Sequence, residues 1–429
     1  MQNKPQKNII LFLGRVTQKH IQGVRDLEKY LKRDFRIALL TTKQEKISES
    51  NIKDIDIILR TTLQRTDLVE EILIPYKQEI VAILSKYENM MPLYGRLTSL
   101  FPYLKNPTPR SLDIATDKFE MRKAFKKYVP KTTPRFIVVK DTSKEIIDLV
   151  EKYIKFPCII KPASLSQSKL VINCYDRDEL EKTLTTVIKK VKALYRKGEI
   201  EHEPKILVEQ LLEGELYSMD VYVNSLGYCY YTPIIEIKTG KDIGHDDFFM
   251  YLQMTPATID QSEVEIARSV ITQGIYALGL RSCTAHAEFY RTKKGFKIVE
   301  IAGRVGGYRD ELLDDAFGIK HQMNDILIRL GKKPQIQKIK KKYTGFLKFW
   351  PTQRGTLISI KGFKKNSERD FILRSQQQKK PGDQVGFSKF GYGFICSFNL
   401  IADSRSELLS QVRKIEKSLT FTIKPLNKK

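Results

Sequence analysis

The sequence predicts an α/β and α+β protein of three units, and three observations carry that expectation. Residues 1 to about 115 alternate short apolar runs with segments of helical spacing, the pattern of a doubly wound parallel sheet covered by helices on both faces. Further on, two strand-like runs, Ala285 to Tyr290 and Phe296 to Ile301, each carry a glutamate and are joined by the turn Thr292-Lys293-Lys294-Gly295, as in a hairpin. Past Gly331-Lys332-Lys333-Pro334 a basic linker opens a last α+β unit that reads as three strands and a helix.

In the first unit, Ile9 to Leu13 reads as a buried strand, Ile21 to Leu31 as a helix, and Arg36 to Thr41 and Ile55 to Leu59 as strands. Leu68 to Ile74 is helical and Ile80 to Leu84 is another strand. The first strand ends in Gly14-Arg15-Val16-Thr17, one glycine where a dinucleotide fingerprint needs three, so no nicotinamide or flavin site is expected. Pro102, Pro107 and Pro109 mark a break before Asp117, an N-terminal acid for a helix running through Arg122 to Tyr128. A strand Arg135 to Val139, a helix Ser143 to Ile154, a short buried strand ending in Lys161 and a helix Asp178 to Lys197 follow. Lys205 to Gln210 is a strand; Ser218 to Asn224 and Cys229 to Glu236 extend a sheet, and Ile266 to Leu278 is helical before the hairpin. The last unit offers strands at Phe346 to Pro351, Thr356 to Ile360 and Gly391 to Phe398 and a helix at Ser406 to Leu419.

With 429 residues, 41% hydrophobic and 29% charged, the chain is an ordinary globular protein with room for several cores. No apolar run approaches the roughly 20 residues a bilayer crossing needs, and Ile9 to Leu13 is too short for a signal-peptide core. Five scattered cysteines without CxxC spacing point to free thiols in a reducing cytoplasm, and five scattered histidines offer no zinc site. Of the net charge of +25, +15 lies in residues 336–429 (21 Lys and Arg against 6 Asp and Glu). With no nucleic-acid-binding signature beside it, small anionic molecules are simpler partners for this charge than nucleic acid. Whether the chain forms a homo-oligomer stays open.

The chemistry concentrates in a few positions. Glu288 and Glu300 fall on the two strands of the hairpin, where pairing brings both carboxylates to one side, as a hard cation shared with substrate phosphates requires. Arg304, Gly306 and Gly307 follow at once, the arginine supplying a planar fork for a carboxylate or phosphoryl group. A solvent-facing hairpin would show the same glutamates; the Arg-x-Gly-Gly sequel and the residues upstream weigh against it. Lys118 stands at a helix start and Lys161 at the end of a buried strand. Glu209 and Gln210 close another strand that can present its backbone to an adenine edge, and Glu215 lies beyond a glycine, available to a ribose diol. His286 projects to the same face as Glu288 by strand alternation.

This ordered set resembles the ATP-grasp superfamily over nearly the whole chain, and within it the carboxylate–amine ligases that join amino acids into dipeptides. The likeness runs from Glu300-Ile-x-x-Arg304-x-Gly306-Gly307 to Gly355-Thr356-Leu357 and Pro381-Gly382-Asp383. It implies an N-terminal α/β domain at 1–115, a two-lobed grasp at 116–335 with its lid lobe at about 130–207, and a C-terminal domain at 336–429. By the same resemblance ATP and Mg²⁺ or Mn²⁺ would be the cofactors, and a small carboxylate and an amine the substrates. Lys118 and Lys161 would bind ATP phosphates, Glu209, Gln210 and Leu211 border the adenine, and Glu215 the ribose. Glu288 and Glu300 would ligate the metal, Arg304 hold the carboxylate and its phosphorylated form, and His286, Gly306, Gly307 and Tyr308 border the substrate. Two positions depart from the pattern. The loop Ser164 to Lys169, whose Ser166, Ser168 and Lys169 would face the phosphates, contains no glycine, and Ala302 stands where relatives place a metal-binding asparagine. A carboxylating ligase and a catalytically silent nucleotide-binding protein remain the alternatives.

Overall fold

The computed structural model describes residues 7–163, 170–196, 205–336 and 342–425. The predicted loop residues Ser166, Ser168 and Lys169 lie outside the described residues.

Four apolar runs of the N-terminal unit pair as a parallel sheet in the order Ile57–Arg60, Arg36–Thr41, Ile9–Leu13, Ile80–Leu84. All five side chains of Ile9–Leu13 are buried, as a strand flanked on both edges and covered on both faces must be. Helix Gln18–Leu31 covers one face through Ile21, Val24 and Leu27. It also packs against helix His321–Arg329, where Gly23 permits a close approach: a Cβ there would stand 2.4 Å from Gln322 Cβ.

Helix Lys118–Tyr128 begins at Asp117, whose carboxylate accepts the N–H groups of Phe119 (2.8 Å) and Glu120 (3.2 Å). The next lobe is a four-stranded antiparallel sheet in the order Phe136–Val139, Ile206–Gln210, Cys158–Pro162, Ile172–Cys174. Helix Arg177–Arg196 packs on it through Leu180, Leu184, Val187 and Val191.

Of the remaining strands, Gln384–Val385, Gly355–Lys361 and Thr420–Pro425 form a three-stranded sheet and the other nine form one large sheet. Its path runs Gly295–Ala302, Cys283–Thr292, Glu215–Val223, Ile235–Thr239, Met250–Thr255, Tyr343–Phe349, Cys396–Ala402, Ile372–Gln377, with Cys229–Tyr231 paired beside Glu215–Val223. The sheet therefore crosses residue 335 without a break, because Met250–Thr255 pairs with Tyr343–Phe349. Where one strand from Cys229 to Glu236 is expected, two form: Pro233 lacks the N–H that a continuous ladder needs. Strand Met250–Thr255 and helices Arg309–Phe317 and His321–Arg329 have no counterpart in the sequence reading. The mixed α/β and α+β class matches the expectation.

Candidate active site

The hairpin sets the site. Glu288 and Glu300 are direct partners in the antiparallel register of Cys283–Thr292 and Gly295–Ala302, so their side chains leave the same face of the sheet. Lys118 reaches the same place: its Nζ lies 3.5 Å from Glu300 Oε2, and its backbone N–H donates to the carbonyl of Ala163 at the end of the Lys161 strand.

Lys161 Nζ donates to Glu209 Oε2 at 3.1 Å. Glu209 is also gripped by Arg122, which donates from Nε at 2.8 Å and from Nη2 at 3.2 Å and extends Nη2 to the carbonyl of Val299, beside Glu300. Burial alone would push the Glu209 carboxyl up; Arg122 and Lys161 win and hold it at about 2. One chain of contacts thus runs Lys161–Glu209–Arg122–Val299 and adjoins Glu300–Lys118. Glu209 serves here as the counter-ion of two cations, whereas bordering the adenine was its sequence expectation. Gln210 and Leu211 follow it, their N–H groups donating to the carbonyls of Arg135 and Pro157. Glu215 is held by Arg291, at 2.7 Å from its Nε.

Beneath Glu288 lies a buried polar chain. His286 Nδ1 stands 2.6 Å from Asp220 Oδ1, and its Nε2 is 3.3 Å from Glu288 Oε1. Asp220 Oδ2 accepts from the N–H of Gly306 at 2.8 Å and contacts His321 Nε2 at 2.8 Å; His321 Nδ1 in turn lies 2.5 Å from the Tyr222 hydroxyl. Although desolvation opposes each charge, Asp220 is held well below the usual carboxylate range by His286 and His321, and His286 is raised by Asp220 and Glu288. His286 accordingly braces Glu288 and shapes the Gly306 turn. A Cβ on Gly306 would meet His286 Nδ1 at 2.4 Å, so glycine is required there by close approach. At Gly307 a Cβ would meet nothing within 4 Å, which marks open space beside the hairpin.

Arg304 donates from Nε to Glu88 Oε2 at 2.6 Å and from Nη1 to the Val305 carbonyl at 3.0 Å. Glu88 belongs to the N-terminal unit, so the arginine spans the gap between that unit and the hairpin. Tyr308 stacks on Phe346 with ring centroids 4.1 Å apart. The geometry brings Lys118, Lys161, Glu288, Glu300, His286 and the Gly306–Tyr308 turn together, with Arg304 at its N-terminal-unit edge. Arg122, Asp220, Glu88, Arg309 and Lys348 escaped the sequence reading. Asp220 alone left a signal, an acid within the apolar run Met219 to Val223.

Among the described residues no group of three or more His, Cys, Asp or Glu side chains could hold a metal. Two facing carboxylates are nonetheless a fitting donor set for Mg²⁺, which retains water and phosphate oxygens in its other positions.

Residues 154–310 match the model of the ATP-grasp domain family. The chain is 24% identical over 355 residues to an uncharacterized protein of Sinorhizobium fredii, covering 81% of this chain and 70% of that protein. It is 26% identical over 211 residues to a D-alanine--D-alanine ligase of Bacillus cytotoxicus, spanning 47% of this chain and about half (54%) of that enzyme's length. In three dimensions it superimposes on an L-amino acid ligase from Bacillus licheniformis with a TM-score of 0.76 at 16% identity, covering 98% of this chain and 99% of the other. The fold is the ATP-grasp fold, and the resemblance read from the sequence holds.

Proposed function

We propose that the chain is an ATP-dependent carboxylate–amine ligase that converts a carboxylate to an acyl phosphate and passes the acyl group to an amine, releasing ADP and phosphate. The observation that carries this reading is the pairing of Glu288 with Glu300, with Lys118 beside Glu300, the Lys161–Glu209–Arg122 chain reaching the Val299 carbonyl next to it, and Arg304 held by Glu88.

A carboxylate is a poor electrophile because its charge is delocalised and its leaving group would be oxide. Transfer of the γ-phosphoryl group to one of its oxygens creates a leaving group that departs as phosphate. Lys118 and Lys161 supply positive charge along the phosphate path, where positioning and charge offset make up most of the catalysis of phosphoryl transfer. Glu288 and Glu300 would hold Mg²⁺ or Mn²⁺, which when bound neutralises phosphate charge. Arg304 would hold the reacting carboxylate and then the oxyanion formed as the amine attacks. Its Nε and Nη1 are already fixed by Glu88 and Val305, so the guanidinium plane is set before substrate arrives. Small-molecule substrates and a cytoplasmic setting belong to the same proposal; among the described residues no helix is long and apolar enough to cross a membrane.

The test is a screen of pooled amino acids and small carboxylic acids with Mg-ATP, reading phosphate release and identifying products by mass. ADP formation that requires both an acid and an amine, with a product lighter than their sum by one water, is expected. ADP release driven by bicarbonate instead would move the chain to the carboxylating alternative. Arg304→Ala should slow turnover about a hundredfold or more, roughly 3 kcal/mol of transition-state stabilisation, with nucleotide affinity little changed. Unaltered turnover would remove the arginine from the mechanism.

A further inference from the structure

Among the described residues, two cations beside the site make no ion pair. Lys348, on strand Tyr343–Phe349, is 6% exposed, and no hydrogen bond or ion pair holds its ammonium among the described residues. It is packed against aromatic rings instead, with Nζ 4.1 Å from the ring centre of Tyr308, 5.2 Å from Phe346 and 5.5 Å from Phe394. Arg309 is 1% exposed and meets only neutral acceptors: Gln253 Oε1, the Gly307 carbonyl at 3.2 Å and Ser218 Oγ at 2.7 Å. Its Nε is buried with no hydrogen-bond partner among the described residues. Burial, with Arg309 nearby, pushes the Lys348 ammonium down to about 7, while Glu288 pulls the other way.

Buried charges are ordinarily paired, since an unpaired one forfeits its hydration without return. Stability does not explain two of like sign placed side by side. The Glu288 carboxylate acts on both, joined at Arg309 by Asp220 and Asp310, and Glu288 is the carboxylate proposed to face a metal. The open space at Gly307 adjoins both residues through the Arg309–Gly307 hydrogen bond and the Lys348–Tyr308 contact.

Building on the ligase reading, we propose that Lys348 and Arg309 receive a second carboxylate, one that does not react, carried by a substrate whose other end lies at Glu288 and Arg304. The guanidinium supplies a directional fork, the ammonium a point charge, and the rings of Tyr308, Phe346 and Phe394 an apolar wall for the carbon skeleton. The site therefore selects amino-acid-like or dicarboxylic substrates over simple amines. Lys348 is a specificity residue contributed by the segment after the linker, which explains why the nine-stranded sheet continues into that segment.

The chain contains one tryptophan, and it reports on this place. Trp350 stacks on Phe249 at 5.3 Å and meets Phe394 edge-on at 5.9 Å. Its fluorescence is to be followed in the full-length chain, alone and with Mg-ADP, during titration with protein amino acids, their primary amides, and acetate, propionate and benzoate. At least one amino acid should give a saturable change, with its amide about tenfold weaker or worse. Lys348→Met should weaken the amino acid by about tenfold or more. Because Lys348→Met removes a buried unpaired charge, its thermal midpoint should equal or exceed that of the parent; should it fail to fold, Lys348→Gln is read in its place. Response to the amino acids but not to the simple acids, which carry a single carboxylate, is the expected pattern; simple acids binding as tightly as the amino acids overturn the proposal. The proposal is overturned if no carboxylate changes the fluorescence, if amides bind equally well, or if Lys348→Met binds as the parent does. Any of these beside intact acid- and amine-dependent phosphate release would sink this site and leave the ligase reading standing.

Discussion

Glu209 illustrates how a single carboxylate can organise a cleft. It is the shared counter-ion of Arg122 and Lys161, and its carboxyl is held at about 2 against an ordinary 4.5. A depressed folded-state value stabilises the fold fully above the unfolded value and is lost as pH falls towards the folded one. The window is therefore about pH 4.5 down to 2, worth on the order of 3 kcal/mol. Urea midpoints measured across that window should fall in the parent and fall less steeply in Glu209→Gln. At neutral pH the same variant should lose about 3–5 kcal/mol, because two buried cations are left without their partner; a neutral-pH loss below about 1 kcal/mol would contradict the assignment. The adjacent glycines make a second contrast. Gly306→Ala would drive a methyl group into His286, which Asp220 holds in place, so both folding stability and activity should suffer. Gly307→Ala meets open space and should leave the thermal midpoint unchanged while raising the KM of the acid or amine substrate. Equal midpoints for the two variants would refute the close approach.

At the scale of elements, the strands of the N-terminal sheet and the glutamate hairpin were legible because their apolar runs are short, regular and bounded by turn residues. Asp117 was legible as a helix start for the same local reason. Its loss in Asp117→Ala removes the cap on Phe119 and Glu120 and the contact with Lys205 Nζ at 3.2 Å. That should cost about 1 kcal/mol of stability and raise the KM for Mg-ATP, since Lys118 is the first residue of the helix. Unchanged nucleotide affinity would separate the cap from the site. What sequence did not disclose is equally physical. Arg122 sits on a helix with Lys123, Lys126 and Lys127, and nothing local distinguishes the one cation turned inward from those facing water. Lys348 shares a strand face with Phe346, two residues before it, and only the aromatic surroundings supplied by Tyr308 and Phe394 show that this face is buried. Strand Met250–Thr255 was overlooked because its polar Gln253 breaks the apolar run; in the fold Gln253 is a buried partner of Arg309.

On the scale of the molecule, the site draws residues from distant parts of the chain. Lys161 and Glu209 come from the antiparallel lobe, Glu288, Glu300 and Arg309 from the large sheet and the helix after it, Glu88 from the N-terminal unit, and Lys348 from the segment after residue 336. Lys86 with Asp310 (3.3 Å) and Arg329 with Tyr94 (2.5 Å) tie the N-terminal unit to the helices that follow the hairpin. Such an arrangement suits a reaction in which a nucleotide, an acid and an amine must be held at fixed mutual positions, since orientation supplies much of the rate. The central claim is that the acid passes through an acyl phosphate. The most direct measurement uses an acid substrate found in the screen, labelled with ¹⁸O in its carboxylate, and mass analysis of the phosphate released with Mg-ATP and the amine. Acyl phosphate formation predicts one ¹⁸O atom in each inorganic phosphate and ADP as the nucleotide product; unlabelled phosphate, or label recovered in AMP, would contradict it.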